Sequence, residues 1–139
     1  IGDDAMSTGG FNFYRDAALT APALSLQSIH DGDDSPTSND FQLWLGSPDP
    51  LRTLAATDGN LIVSVEDAAE GSGYEASNIK LATTQGGLAA GGQTLDTGAT
   101  TLAGGVANAF AFWLRVTEDD GTPGVSTELS LALNAALVT

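Results

Sequence analysis

NAFAFWLRVT, residues 108–117, sets two kinds of side chain on alternate positions. Phe110, Phe112, Leu114 and Val116 alternate with Ala111, Trp113, Arg115 and Thr117, the two-residue period of a strand. The stretch that follows, EDDGTPG (118–124), is dense in turn formers. Gly121 tolerates positive φ, and Pro123 fixes φ while withholding a backbone donor. STELSLALNAALV (126–138) then alternates again, with Leu129, Leu131 and Leu133 in phase. Two alternating runs joined by such a turn predict a C-terminal β-hairpin that serves as the spine of a sheet.

Working outward, DFQLWLG (40–46) alternates Phe41, Leu43 and Leu45 against Gln42 and Trp44, which predicts a second strand. LIVSVE (61–66) predicts a third, with Leu61, Val63 and Val65 in phase, and NIKLA (78–82) an edge strand. FNFYR (11–15) predicts a short strand, and SLQSI (25–29) another with Leu26 inward. DAALTAPAL (16–24) has helical propensity that Pro22 limits to a turn or two. HDGDDSPTSND (30–40) and DAAEGSGYEAS (67–77) read as loops, GSPDPLR (46–52) as a strand breaker, and LAATDGN (54–60) as ending in a turn.

Between Thr83 and Gly105, Leu88, Leu95 and Leu102 recur every seven residues. The double glycines at 86–87 and 91–92 and Gly98 make a coiled coil a poor fit, so short strands and turns are expected. Seven or more short strands separated by turns predict an all-β antiparallel sandwich, Ig-like or jelly-roll in type. Residues 1–22 are expected to form an N-terminal arm or a short first strand, and 23–139 the sandwich domain.

The chain has 139 residues, a single-domain length, and buries roughly 68–70% of its unfolded surface on folding. It has no Cys, so no disulfide or thiolate chemistry is available. No apolar run reaches the roughly 18–20 residues of a membrane span. The first residue is Ile1, which is expected to reflect processing or trimming of an earlier start. Against 18 acids stand only Arg15, Arg52, Lys80 and Arg115, for a net charge of −14. Four scattered cations in that field argue against contact with a nucleic-acid backbone.

Candidate chemistry is sparse. His30 beside Asp31 could form a His–carboxylate base, but no GxSxG elbow accompanies it, and a solvated loop His is the commoner case. Asp31, Asp33, Asp34, Asn39 and Asp40 form a weak Ca²⁺ candidate that lacks the 12-residue loop pattern with its closing Glu. Glu118, Asp119 and Asp120 form a second acidic cluster; for both clusters a solvated turn is the commoner case. One His and no Cys leave only carboxylates for zinc, and the glycine-rich segment lacks GxxxxGK[ST]. Trp44 and Trp113 fall out of phase with the apolar positions of their strands. They either offer an outward surface to a sugar or protein partner or lie under a second cover such as the N-terminal segment.

Three local patterns resemble a family of tailed-phage virion proteins encoded among head and tail structural genes. They are LWLGSPDP (43–50), LDTGATTLAGGVANAFAFWLRVTEDDGTPG (95–124) and STELSLALNA (126–135). Trp113, Leu114, Arg115 and Val116 match that family's W-[IVL]-R-V strand, and Gly121 to Gly124 its closing turn. The resemblance covers about 41–139. It implies an Ig-like sandwich that decorates or cements a capsid, or attaches at fibres and tails.

The expected function is therefore a non-enzymatic virion structural protein at the particle surface, without cofactor, nucleic-acid or membrane contact. Its expected partners are the major capsid protein or other virion proteins, with a homo-oligomer expected. The expected contact residues are Phe11, Phe13 and Tyr14 on the arm, and Trp113 with Arg115 on the sheet. The alternatives are a tail or fibre-attachment component, or a secreted carbohydrate-binding domain stacking sugar on Trp44, Trp113 and Tyr74 with Ca²⁺ at Asp31–Asp40.

Overall fold

A computed structural model of the chain describes residues 11–22, 37–67, 79–118, 129–134 and 136–139. Strands β1 (Asn12–Tyr14), β2 (Thr37–Gly46), β3 (Thr53–Ala56), β4 (Ile62–Asp67) and β5 (Ile79–Ala82) precede a 3-10 turn at Gln85–Ala90. There follow β6 (Thr94–Asp96), β7 (Thr101–Ala103), β8 (Phe110–Glu118), β9 (Leu129–Leu133) and β10 (Ala136–Val138). Every pairing among them is antiparallel. The fold is an all-β antiparallel sandwich.

Alternation in the sequence becomes sidedness through register. β2 and β8 pair from Thr37 opposite Glu118 to Leu45 opposite Phe110. Residues directly opposite share a face, so Phe41, Leu43 and Leu45 join Phe112, Leu114 and Val116 on the inner one. β1 adds Phe13 opposite Leu45, and β5 adds Ile79 and Leu81 opposite Val116 and Leu114. The result is a four-stranded sheet in the order β1-β2-β8-β5. Leu88, Leu95 and Leu102 end in the 3-10 turn, in β6 and in β7, not on one helix face.

The facing layer is made of two three-stranded sheets, β6-β4-β9 and β10-β3-β7. Val63 of β4 and Leu131 of β9 complete the main core with Phe13, Leu43, Leu45, Phe112 and Leu114. There Phe13 meets Phe112 edge-on, with ring centroids 5.9 Å apart. A second cluster of Phe11, Leu54 and Leu61 lies under β3 and β10, and Leu102 and Leu133 border both clusters.

The predicted C-terminal hairpin does not form. β8 already has β2 on one edge and β5 on the other, so β9 pairs instead with β4 in the facing layer. The alternating run 126–138 is also divided. Among its described residues it breaks at Asn134, after which β10 pairs with β3. Asn134 makes the break specific. Its side-chain oxygen accepts from the Ile62 amide (2.9 Å), and its side-chain nitrogen donates to the Asn60 carbonyl (2.8 Å). Its own amide donates to the Ile62 carbonyl at 3.2 Å.

Four other readings change. The stretch 16–22 is a turn without helix: the Asp16 carboxylate accepts from the Thr20 and Ala21 amides and the Thr20 hydroxyl, a local alternative to helical bonding. Residues 53–56, read only as leading to a turn, form β3, because Leu54 packs inward between Leu102 and Val138. β2 begins at Thr37, inside the stretch read as an acidic loop, since β8 is long enough to pair with it. Phe11 and Phe13 are fully buried, so they are core residues and not arm contacts. Of the stretch 1–22 expected as an arm or a short first strand, residues 1–10 lie outside the described residues, as do the strand at 25–29 and the loop at 68–77.

Two tests follow from this architecture. Asn134→Ala should lower stability by about 2 kcal/mol, roughly 1 kcal/mol for each side-chain hydrogen bond lost. Urea unfolding should show this as a lower midpoint at unchanged slope; a change below about 0.5 kcal/mol would mean that the clasp is dispensable. Gly104 is buried where a Cβ would run into the Asp49 carbonyl of the loop before β3, and its amide donates to the Arg52 carbonyl (2.7 Å). Gly104→Ala should therefore cost about 1–3 kcal/mol in the same assay, since the obstruction is backbone.

Candidate functional site

The outer face of the four-stranded sheet collects the polar and aromatic residues that alternate with the core. Register places Tyr14 opposite Trp44, Gln42 opposite Trp113, and Asp40 opposite Arg115. On the far side of β8, Ala82 lies opposite Trp113 and Lys80 opposite Arg115. Trp44 on β2 and Trp113 on β8 are diagonal neighbours, a spacing within reach of large side chains. The outward reading of both tryptophans from alternation is correct in direction.

Each end of this face carries a cover. At the β1 end the turn 15–22 folds over the sheet: Leu19 reaches the outer side of Gly46, Tyr14 bridges to Pro22, and the Arg15 amide donates to the Ala21 carbonyl. Leu19 holds φ of 56° to do so, and it is buried. Tyr14 is buried as well, and that burial, with the Asp16 charge nearby, raises its pKa. At the β5 end the 3-10 turn lies over Ala82, and Gly87 occupies a position where a Cβ would touch the Ala82 methyl. Thr84 caps this turn by accepting from the Gly87 amide at 3.1 Å. Trp44 and Trp113 lie between the covers, each half-buried. The two readings of the tryptophans are thus both partly met.

Arg115 and Asp40 are joined in a two-pronged pair, Nε to Oδ1 at 2.8 Å and a terminal nitrogen to Oδ2 at 3.1 Å. Gln85 from the 3-10 turn donates to the same Oδ2 at 3.1 Å. Lys80 reaches the same turn, its Nζ donating to the Ala89 carbonyl at 3.3 Å. The Arg115 hydrogen bond, aided by Gln85, holds the Asp40 carboxyl below its ordinary pKa, and Asp40 in turn raises that of Arg115.

Asp40, of the Ca²⁺ candidate set, lies in strand β2, where Oδ1 accepts from Arg115 and Oδ2 from Arg115 and Gln85. Asp31, Asp33, Asp34, His30, Tyr74, Asp119 and Asp120 lie outside the described residues. Of the five expected contact residues, only Trp113 and Arg115 sit on an accessible face; Phe11 and Phe13 face the core and Tyr14 lies buried beside the turn 15–22. Lys80 and Gln85 were not singled out from the sequence. The alternation Ile79, Lys80, Leu81 puts Lys80 on the outer face, but only the β5–β8 register brings it beside Arg115. Among the described residues no three His, Cys, Asp or Glu side chains gather as metal ligands. No protein-family model, curated protein or solved structure matches this chain.

The ion pair gives a pH prediction. Because its folded pKa is depressed, the Asp40 contribution is complete above the ordinary Asp value of about 4 and is lost as pH falls through the lower folded value. Asp40→Asn should lower stability by about 1 kcal/mol at neutral pH, where the pair is only partly exposed. Urea titrations should show that gap shrinking as pH falls below the ordinary Asp value; a gap independent of pH would contradict the pair's role.

Proposed function

We propose that this chain is a non-enzymatic structural protein of a tailed-virus particle, a capsid decoration or cement protein on the head surface. Its partners in this reading are the major capsid protein or other virion proteins. The observation that carries the reading is the outer sheet face, where Trp44 and Trp113 lie half-buried and diagonal beside the Asp40–Arg115 pair. Tryptophan and arginine are the residue types that most often dominate binding energy at protein interfaces. An ion pair already formed within the face spares it an unpaired buried charge on docking.

The virion assignment itself comes from the resemblance. The Leu43–Gly46 part of LWLGSPDP lies in β2, and Trp113–Val116 lies in the adjacent strand β8, so those pieces of the two patterns are neighbours in one sheet. An Ig-like arrangement of the sandwich is part of the same proposal. The net charge of −14 fits a particle surface that repels its neighbours and does not approach the genome. A surface module repeated on a lattice gains from many weak contacts acting together.

One observation favours the carbohydrate-binding alternative: Trp44 and Trp113 are diagonal neighbours on adjacent strands of a single face. Purified particles of the virus that encodes the chain distinguish the readings. Antibody against the chain should label the head, and Trp113→Ala protein should rebind stripped heads at least about ten-fold more weakly, a typical hot-spot loss. Label confined to the tail would move the assignment to a tail or fibre component. Particles free of the chain, with glycan binding that Trp113→Ala abolishes, would replace it with the secreted sugar-binding reading.

A further inference from the structure

The link 57–61 joins β3, which ends at Ala56, to β4, which begins at Ile62. It contains an Asp–Gly step, Asp58–Gly59, and both residues are exposed. Gly59 holds φ of 67°, and a Cβ there would have nothing within 4 Å. Four other aspartates among the described residues have engaged carboxylates. Asp16 accepts from the Thr20 and Ala21 amides, and Asp40 from Arg115 and Gln85. Asp49 accepts from the Leu51 amide, and Asp96 from Asn60 and the Gly98 amide. Asp58 accepts from no described residue, and the Gly59 amide donates to none. The next residue, Asn60, is the tie of the joint: it donates to Asp96 at 3.0 Å, and its carbonyl accepts from Asn134 at 2.8 Å. The other Asp–Gly steps, Asp31–Gly32 and Asp120–Gly121, lie outside the described residues.

We propose that Asp58–Gly59 is a site of spontaneous backbone isomerisation, and that its product loosens the joint between β3 and β4. The Gly59 amide nitrogen attacks the protonated Asp58 side-chain carboxyl. An N–Cγ bond forms, the Cγ–OH bond breaks, and water leaves with the amide proton. The resulting succinimide then takes up one water. Entry at Cγ restores aspartate; entry at the former main-chain carbonyl leaves the chain running through the side chain as isoaspartate. The sum is an isomerisation that needs no cofactor, oxidant or enzyme. Glycine at the attacking position has no side chain to obstruct ring closure, and an amide outside the ladders breaks no hydrogen bond to react. At the other four aspartates the carboxylate must first leave its partners, and Pro50 after Asp49 has no amide hydrogen at all. The isoaspartyl link adds one methylene to the main chain directly before Asn60. That extra length displaces the residue through which β6 and Asn134 hold the link.

The test ages the folded protein in mildly acid buffer, where part of the carboxyl is protonated, and maps it by trypsin digestion and mass spectrometry. Trypsin cuts after Arg52 and Lys80, and backbone fragmentation of the peptide between them distinguishes aspartate from isoaspartate at position 58. Isoaspartate should accumulate there and not at Asp16, Asp40, Asp49 or Asp96, and more slowly as the buffer is brought to neutrality. Its rate in the folded protein should lie within about ten-fold of that in the urea-unfolded chain, because no tertiary bond has to open first. Asp58→Glu, whose longer side chain would have to close a larger ring, should stay unmodified at this position. The isoaspartyl fraction, separated from the unmodified one, should unfold at a lower urea midpoint. Greater suppression in the folded state, or equal isoaspartate at the four engaged aspartates, overturns the site. An isoaspartyl fraction with the midpoint of unmodified protein overturns the loosening of the joint.

Discussion

A strand has two edges, and in this protein both edges of β8 are occupied. β2 pairs with it along nine residues and β5 along four. That one constraint sends β9 across the core to β4, although the turn chemistry before it suits a hairpin. Crossing layers rather than turning back ties the C-terminal strands to both sides of the sandwich. Leu131 and Leu133 then enter the same core as Phe112 and Leu114 from the opposite layer. The backbone hydrogen bonds of β8 are satisfied within its own sheet, and its neighbours in sequence serve the other one.

The facing layer is less continuous, and polar side chains hold its joints. Asn134 bonds to the backbone at Asn60 and Ile62 where the C-terminal run passes from one three-stranded sheet to the next. Close by, the Thr97 hydroxyl donates to the Leu61 carbonyl at 2.8 Å, and Asn60 donates to Asp96 at 3.0 Å. These bonds satisfy backbone and side-chain groups at a point where the ladder changes partner, and unmet groups there would be costly. Gly104 and Gly91 allow the chain to pass close to other backbone, as a Cβ at Gly91 would come within 2.5 Å of the Leu81 carbonyl oxygen. Packing and polar closure thus agree at the same junctions.

The proposed docking uses the face that the core does not. Sidedness that buries Leu43, Leu45 and Phe112 necessarily projects Trp44, Gln42 and Trp113 the other way. The covers at 15–22 and 85–90 leave the tryptophans half-buried, and the second brings Gln85 to Asp40 and accepts a hydrogen bond from Lys80 at Ala89. The face is consequently ordered within the single chain, which in the proposed docking lowers the entropy lost.

By itself the order of residues determined the local character of the elements. The period of two in 40–46, 61–66 and 110–117 assigned strands and the inward residues Leu43, Val63 and Phe112, because alternation and burial are the same fact on a pleated backbone. It also determined that Trp44 and Trp113 face away from that core. Phe11 and Phe13 looked like arm residues because nothing local marks a short strand as part of a sheet; their burial depends on β2 lying alongside. Only the tertiary structure decided which strands are neighbours, and with it the β8–β9 separation, the Asp40–Arg115 pair and the placement of Lys80 beside them. Pairing partners many residues apart depend on which edges remain open once other strands have docked, and a period of two carries no record of that.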